Sequence, residues 1–298
     1  MPYDGQNPEY SDLYGAKWDD TSFWYEQRSD VGPAEFEKNL ENRMIDLMDK
    51  YHPDLYYTDG GIPFQQAGLN VLSHFYNENQ KWNNGKLEAV ATIKLDWTPN
   101  IAVNNYEFGY PDGVQHYQWQ SDKTMGADWY WIRNATDKYK SAKEVVHMLM
   151  DMVSKNGNLL LNVPLTPDGE LENETISLLT DLGKCMDQIG EAVFFTRAWV
   201  VADDGGDLRF TRSKENTILY ITSLVWPGNE LRIKTLGSSR IALESLVNLS
   251  MLGSQEKLTY RQDASGLVVK LPATAPWESP AYSFRLTFSG QIPVLNLI

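Results

Sequence analysis

Cysteine is nearly absent from this chain. Cys185 is the only one in 298 residues, so no internal disulfide can form and no cysteine-based metal site can be built. It falls within a helical pattern and reads as a buried thiol. Histidine is scarce as well: His52, His74, His116 and His147 are scattered without the spacing of zinc ligands. Positive charge is short too, with 26 Lys and Arg against 40 Asp and Glu and a net charge of -14. A phosphate backbone or an anionic membrane surface calls for a basic face, so that balance disfavours nucleic-acid and lipid partners. A neutral or weakly charged substrate fits better. No apolar run is long enough to cross a bilayer. The chain opens on the polar segment Met1-Pro-Tyr-Asp-Gly-Gln-Asn7 and not on a signal-peptide pattern. It has no internal repeat and no low-complexity tract.

Aromatic residues, by contrast, are plentiful. Ten Trp and sixteen Tyr accompany a hydrophobic content of 42%, enough for a sizeable core and too much for a disordered chain. Such rings pack cores, and they also line carbohydrate clefts, because a sugar presents an apolar C–H face. Sequons begin at Asn134, Asn173 and Asn248; they matter only in a secretory pathway.

Residues 1–32 read as irregular loop. Pro33 opens a helix, at a position where proline is tolerated. Phe36, Leu40, Met44, Leu47 and Met48 then repeat at helical spacing down to Lys50. Leu55-Tyr-Tyr-Thr58 follows as a short buried strand between Pro53 and the pair Gly60-Gly61. A helix over Gln66–Glu78, a polar break at Asn83-Asn84-Gly85 and a strand over Ala89–Leu95 come next. Residues 97–135 read as one long aromatic-rich loop, and loops of that length tend to be functional or disordered. Ser141-Ala-Lys-Glu144 is a capping box for a helix whose buried face carries Val145, Leu149, Met152 and Val153. Asn156-Gly157 ends it. Asn158–Val163 reads as a fully buried strand, and a helix spans about Glu172 to Gln188. Helix, strand and Gly-rich turn in alternation mark a βα-repeat fold.

Beyond Trp199 the period shortens. Leu208–Arg212, Thr217–Leu224, Glu230–Lys234, Leu258–Tyr260, Leu267–Leu271 and Tyr282–Phe288 are short strands separated by turn signals. They predict an antiparallel β-sandwich over 203–298, behind a βα-repeat part over 1–202.

Asp59 stands where the strand Leu55–Thr58 ends and a loop begins. Asp-Gly-Gly is a common turn sequence, but in a barrel of parallel strands that rim is also where catalytic side chains collect. Four blocks then appear in order: Pro53-Asp-Leu-Tyr-Tyr-Thr-Asp59-Gly60; Trp119-Gln-Ser-Asp-Lys-Thr-Met-Gly126 with Trp129-Tyr130; Lys155-Asn-Gly-Asn-Leu-Leu-Leu-Asn-Val-Pro164 with Pro167-Asp-Gly169; and Ile189-Gly-Glu-Ala-Val193 leading to Thr196-Arg-Ala-Trp199. Together with the opening Pro2–Tyr10, they resemble the α-L-fucosidases of glycoside hydrolase family 29 over essentially the whole chain.

The resemblance implies an α/β fold: a partial (β/α)8, TIM-like barrel lacking its first strands, then the β-sandwich. It implies retaining hydrolysis of terminal α-L-fucosyl residues through a covalent glycosyl-enzyme. That chemistry uses two carboxyl groups about 5–5.5 Å apart, one as nucleophile and one as acid/base. By its match to the motif Asp59 is the nucleophile. Glu107, the only glutamate of the 97–135 stretch, resembles a family position for the acid/base; Asp112, Asp122 and Asp128 are further candidates. Some members place a glutamate directly after the loop tryptophan, where this chain has Gln120, a side chain with no titratable proton. Tyr57, Trp119 and Trp129 are candidates for the sugar's apolar face. Asn158 and Asn162 read as structural, bonding backbone near their strand.

Family members carry about three further strand–helix units ahead of this point, with a His-Trp-Gly segment and a His-His pair for the fucose hydroxyls. Neither motif occurs here. A catalytically incomplete fragment that at most binds carbohydrate is therefore the alternative expectation. Completion of the barrel by another polypeptide, or by a homo-oligomer, is a third, since strand edges invite pairing. The implied partner is a fucosylated oligosaccharide or glycoconjugate. No cofactor and no metal are implied, because two carboxyl groups suffice. Family members are often secreted, periplasmic or lysosomal.

Overall fold

The computed structural model describes residues 7–10, 34–94, 100–107 and 109–296. Pro33, most of the opening 1–32 loop and Leu95 lie outside the described residues. The chain divides into two compact units, Met1–Asn105 and Tyr106–Ile298.

In the first unit α1 (Ala34–Tyr51) leads into β1 (Leu55–Thr58), α2 (Gln66–Trp82) and β2 (Val90–Ile93), and β3 (Val103–Tyr106) ends at the boundary with the second unit. β1 pairs parallel with β2, Leu55 opposite Val90 through Thr58 opposite Ile93. β2 pairs parallel with the start of β3. Parallel neighbours need a crossover, and α2 supplies it between β1 and β2. Met48 of α1, Tyr56 of β1, Val71, Leu72 and Phe75 of α2, and Ala91 of β2 form one core. Each large side chain fully buried there contributes about 1.5–3 kcal/mol. A His74 to Asp49 contact of 2.6 Å joins α2 to α1. The strand Leu55–Thr58 is present as expected but is not buried throughout. Successive side chains alternate between faces, so Tyr56 enters the helix-covered core while Leu55 is 50% exposed.

In the second unit β4 (Trp119–Thr124) pairs parallel with β5 (Gly157–Asn162), with α3 (Ala142–Ser154) crossing between them. The expected capping box is formed. Ser141 accepts from the Glu144 backbone N–H, and the Glu144 carboxylate accepts from the Ser141 N–H. Asn156 takes the left-handed conformation (φ 72°) that stops the helix. Gly157 cannot be larger, because a Cβ there would run into the Trp119 ring. α4 (Asn173–Ile189) follows close to its expected bounds and buries Cys185. β5, like β1, is covered on one face only: Leu159 and Leu161 pack against Met125, Val145 and Leu178, while Leu160 is 40% exposed.

The single loop expected over 97–135 is corrected by the structure, since β3 and β4 lie inside it. Val-Asn-Asn-Tyr and Trp-Gln-Ser-Asp-Lys-Thr carry neither an apolar run nor a clean alternation. Backbone pairing makes them strands against their local preference.

The antiparallel part consists of β6 (Thr196–Asp203), β7 (Leu208–Ser213), β8 (Ile218–Ser223), β9 (Glu230–Ile233), β10 (Leu246–Met251), β11 (Thr259–Asp263), β12 (Gly266–Lys270) and β13 (Tyr282–Phe288). One sheet runs β10-β13-β8-β7-β6 and the other β11-β12-β9. Phe210, Leu219, Ile221, Phe284 and Leu286 of the first share a core with Leu231, Ile233, Leu267 and Val269 of the second, as in a sandwich. All six expected strands occur; β6 and β10 were not foreseen. α3 is braced against this part. Asp151 on α3 meets Arg209 on β7 at 2.6 Å and Lys155 at 2.8 Å. Burial pushes the Asp151 carboxyl up, but the hydrogen bonds and charges of those two cations outweigh it and hold it below the usual range. The Tyr110 hydroxyl beside it is pushed up to about 12 by burial and by the Asp151 charge.

Candidate active site

In the first unit the site is built on the C-terminal end of β1. The Thr58 hydroxyl donates to the carbonyls of Gly60 (3.3 Å) and Gly61 (3.1 Å), closing the turn that follows the strand. The Lys94 backbone N–H donates to the Gly60 carbonyl at 2.9 Å, pinning that turn to the residue just beyond β2. Asp59 is thereby presented at the strand end with its side chain 73% exposed, and its carboxylate meets the Lys94 ammonium at 2.6 Å. The Lys94 side chain is itself only 11% exposed. A carboxylate that faces solvent over a nearly buried cation is held in place and open to a ligand. Beside it Tyr57 is half-buried, and its hydroxyl accepts from the Asn105 amide at 3.4 Å.

In the second unit Glu107 is half-buried directly after β3, and β4 holds the end of that strand and the residues following it at three carbonyls. The Ser121 hydroxyl donates to the carbonyls of Tyr106 (2.7 Å) and Gly109 (3.3 Å), and the Lys123 ammonium donates to the Glu107 carbonyl at 2.9 Å. Burial lowers the Lys123 pKa, against the upward pull of the Asp122 and Glu107 carboxylates. A second loop is anchored where β4 and β5 end. Thr124 donates to the Asp128 carbonyl (3.0 Å), and the Asn162 amide donates to Thr124 (3.2 Å) and to the Trp129 carbonyl (3.0 Å). Trp129 is held there half-exposed. The Asn158 amide donates to the Trp119 carbonyl at 3.4 Å, so both asparagines bond backbone as expected.

Trp119 is not a sugar platform. It is fully buried, its indole N–H donates to the Lys155 carbonyl at 3.0 Å, and Tyr110 stacks on it. It also begins β4, at the opposite rim from the strand ends. Among the other acidic candidates Asp122 is buried on β4, Asp112 is exposed, and Asp128 accepts from the Trp129 N–H. Gln120 is half-buried on β4 opposite Asn158. Among the described residues no group of three His, Cys, Asp or Glu side chains is placed to hold a metal. Sequence reasoning missed Lys94, Ser121 and Lys123. Lys94 alone left a signal, a lone cation closing the strand Val90-Ala-Thr-Ile93.

Two family models cover nearly all of the chain: the α-L-fucosidase model matches residues 7–191 and the α-L-fucosidase C-terminal domain model residues 204–287. The chain belongs to the α-L-fucosidase family. Within that family it is 26% identical to the tissue α-L-fucosidase of Mus musculus over 256 residues, covering 82% of this chain and 55% of that protein. To the α-L-fucosidase of Branchiostoma floridae it is 26% identical over 269 residues, covering 84% and 55%. The chain thus spans about half the length of these relatives. The solved α-fucosidase of Thermotoga maritima superposes with a TM-score of 0.70 at 23% identity, covering 86% of this chain and 57% of that one. α-L-fucosidase isoenzyme 1 of Paenibacillus thiaminolyticus gives 0.69 at 17% identity, covering 85% and 62%. The fold of this α-L-fucosidase family chain is accordingly a partial TIM-like barrel of five parallel strands followed by antiparallel sheets.

Proposed function

We propose that this chain carries the nucleophile-bearing part of a retaining α-L-fucosidase, acting on terminal α-L-fucosyl residues of oligosaccharides or glycoconjugates. The observation that carries the reading is Asp59 at the end of β1, exposed and held by Lys94 at 2.6 Å. Its carboxylate attacks the anomeric carbon while Glu107, as acid, protonates the departing glycosidic oxygen. Glu107 then takes a proton from water as that water displaces Asp59 from the sugar. Tyr57 and Trp129 offer ring surface to the sugar's C–H face. The division into a barrel part over 1–202 and a sandwich over 203–298 accompanies this reading, supported by the spans of the two family models. β6 carries the chain from one part into the other.

The test is release of 4-nitrophenol from 4-nitrophenyl α-L-fucoside by the purified chain and its Asp59→Ala variant, each with and without sodium azide. Activity lost in the variant and restored by azide as the fucosyl azide identifies Asp59 as nucleophile. Absence of activity in the unaltered chain refutes catalysis by this chain on its own. Unchanged activity in Asp59→Ala refutes the assignment.

A further inference from the structure

A second cleft lies in the second unit, at the rim where β4 and β5 begin, opposite the strand ends that present Trp129 and Asn162. It has a volume of about 190 Å³, room for one sugar ring, and is bounded by Gln118, Gly157, Asn158, Phe195, Arg197 and Lys214. Three features mark this rim. Phe195 is 84% exposed although it is a large apolar ring. Its backbone is left-handed, with φ 59°, a conformation that costs a bulky residue about 1–3 kcal/mol and is normally left to Gly or Asn. Arg197 and Lys214 both face the cleft, and among the described residues neither has a carboxylate partner. Lys214 sits over the Phe195 ring with its ammonium 5.5 Å from the centroid, which holds a positive charge beside that ring.

We infer that this cleft binds an anionic sugar, with the C–H face of the pyranose on Phe195, its carboxylate or sulfate on Arg197 and Lys214, and its hydroxyls on the amides of Gln118 and Asn158. An exposed ring that the fold does not bury suits the apolar face of a pyranose. The guanidinium and ammonium supply charge-assisted bonds to an anion, and the small volume selects one residue of a glycan and not a chain. The proposal does not depend on the hydrolytic reading.

The test is calorimetric titration of the whole chain with methyl β-D-glucuronide, with methyl β-D-galactoside 6-sulfate, with neutral methyl β-D-galactoside and with sodium sulfate. Phe195→Gly is the variant of choice, because glycine accepts the left-handed backbone and keeps the turn. Arg197→Gln with Lys214→Gln removes the charge. Binding of at least one anionic glycoside, weakened tenfold or more by each variant and by 0.5 M NaCl, supports the site, and the stronger of the two glycosides identifies carboxylate or sulfate. Equal binding of the neutral glycoside, equal binding of inorganic sulfate, binding unaffected by Phe195→Gly, or no binding by any glycoside each overturns it.

Discussion

Among single residues, Lys94 and Asp59 form the pair on which the proposed site rests. The ammonium is nearly buried and the carboxylate is exposed, so Lys94 acts by holding Asp59 in one orientation. Lys94→Met is expected to lower kcat by about 10- to 100-fold with a smaller change in KM, as misplacement of a reacting group does; steady-state kinetics on the nitrophenyl fucoside separate the two. The tryptophans divide in the same way. Trp119→Ala removes a fully buried ring and is expected to cost about 3–5 kcal/mol in denaturant unfolding. Trp129→Ala, at the strand ends, should leave unfolding nearly unchanged and raise KM. Equal stability losses in both would place Trp129 in the core as well.

Among the elements, an ion-pair brace ties α3 to β7 of the sandwich. Asp151 sits between Arg209 and Lys155, with all three side chains mostly buried. Asp151→Asn leaves two buried cations without a counter-charge, and a loss of about 3 kcal/mol is expected. The pH dependence has a definite sign. The Asp151 carboxyl is held below its ordinary value in the folded state, so its contribution is present above the unfolded pKa. It is lost as pH falls through the folded one. The difference in Tm between the two proteins should therefore narrow as pH drops below about 4. A gap that stays constant down to acid would assign the brace to packing alone.

For the whole molecule, the sandwich has its own core, drawn from two sheets, which is the condition for independent folding. The strand β6 closes one edge of its larger sheet by pairing with β7. A fragment of residues 196–298 is expected to unfold cooperatively, and one of residues 203–298 to be less stable or aggregated, since removal of β6 exposes the edge of β7. Circular dichroism melts and light scattering on the two fragments check this. Equal melts would show β6 to be dispensable.

Features that rest on local chemistry are legible along the chain. The capping box at Ser141 and Glu144, the helix stop at Asn156, the strand of Asp59 and six of the antiparallel strands are each written in a few adjacent residues. The ordered blocks from Pro53 to Trp199 marked the family as well. The remaining features depend on residues far apart in the chain. β3 and β4 are strands because neighbouring backbones pair with them, not because Val-Asn-Asn-Tyr or Trp-Gln-Ser-Asp-Lys-Thr prefers extension. Burial sent Trp119 to the core and left Trp129 at the rim, though both sit in equally aromatic surroundings. Lys94 acquired its partner only when parallel pairing of β1 with β2 brought the two strand ends together. Local chemistry specifies which elements form, and pairing between distant segments selects which side chains meet.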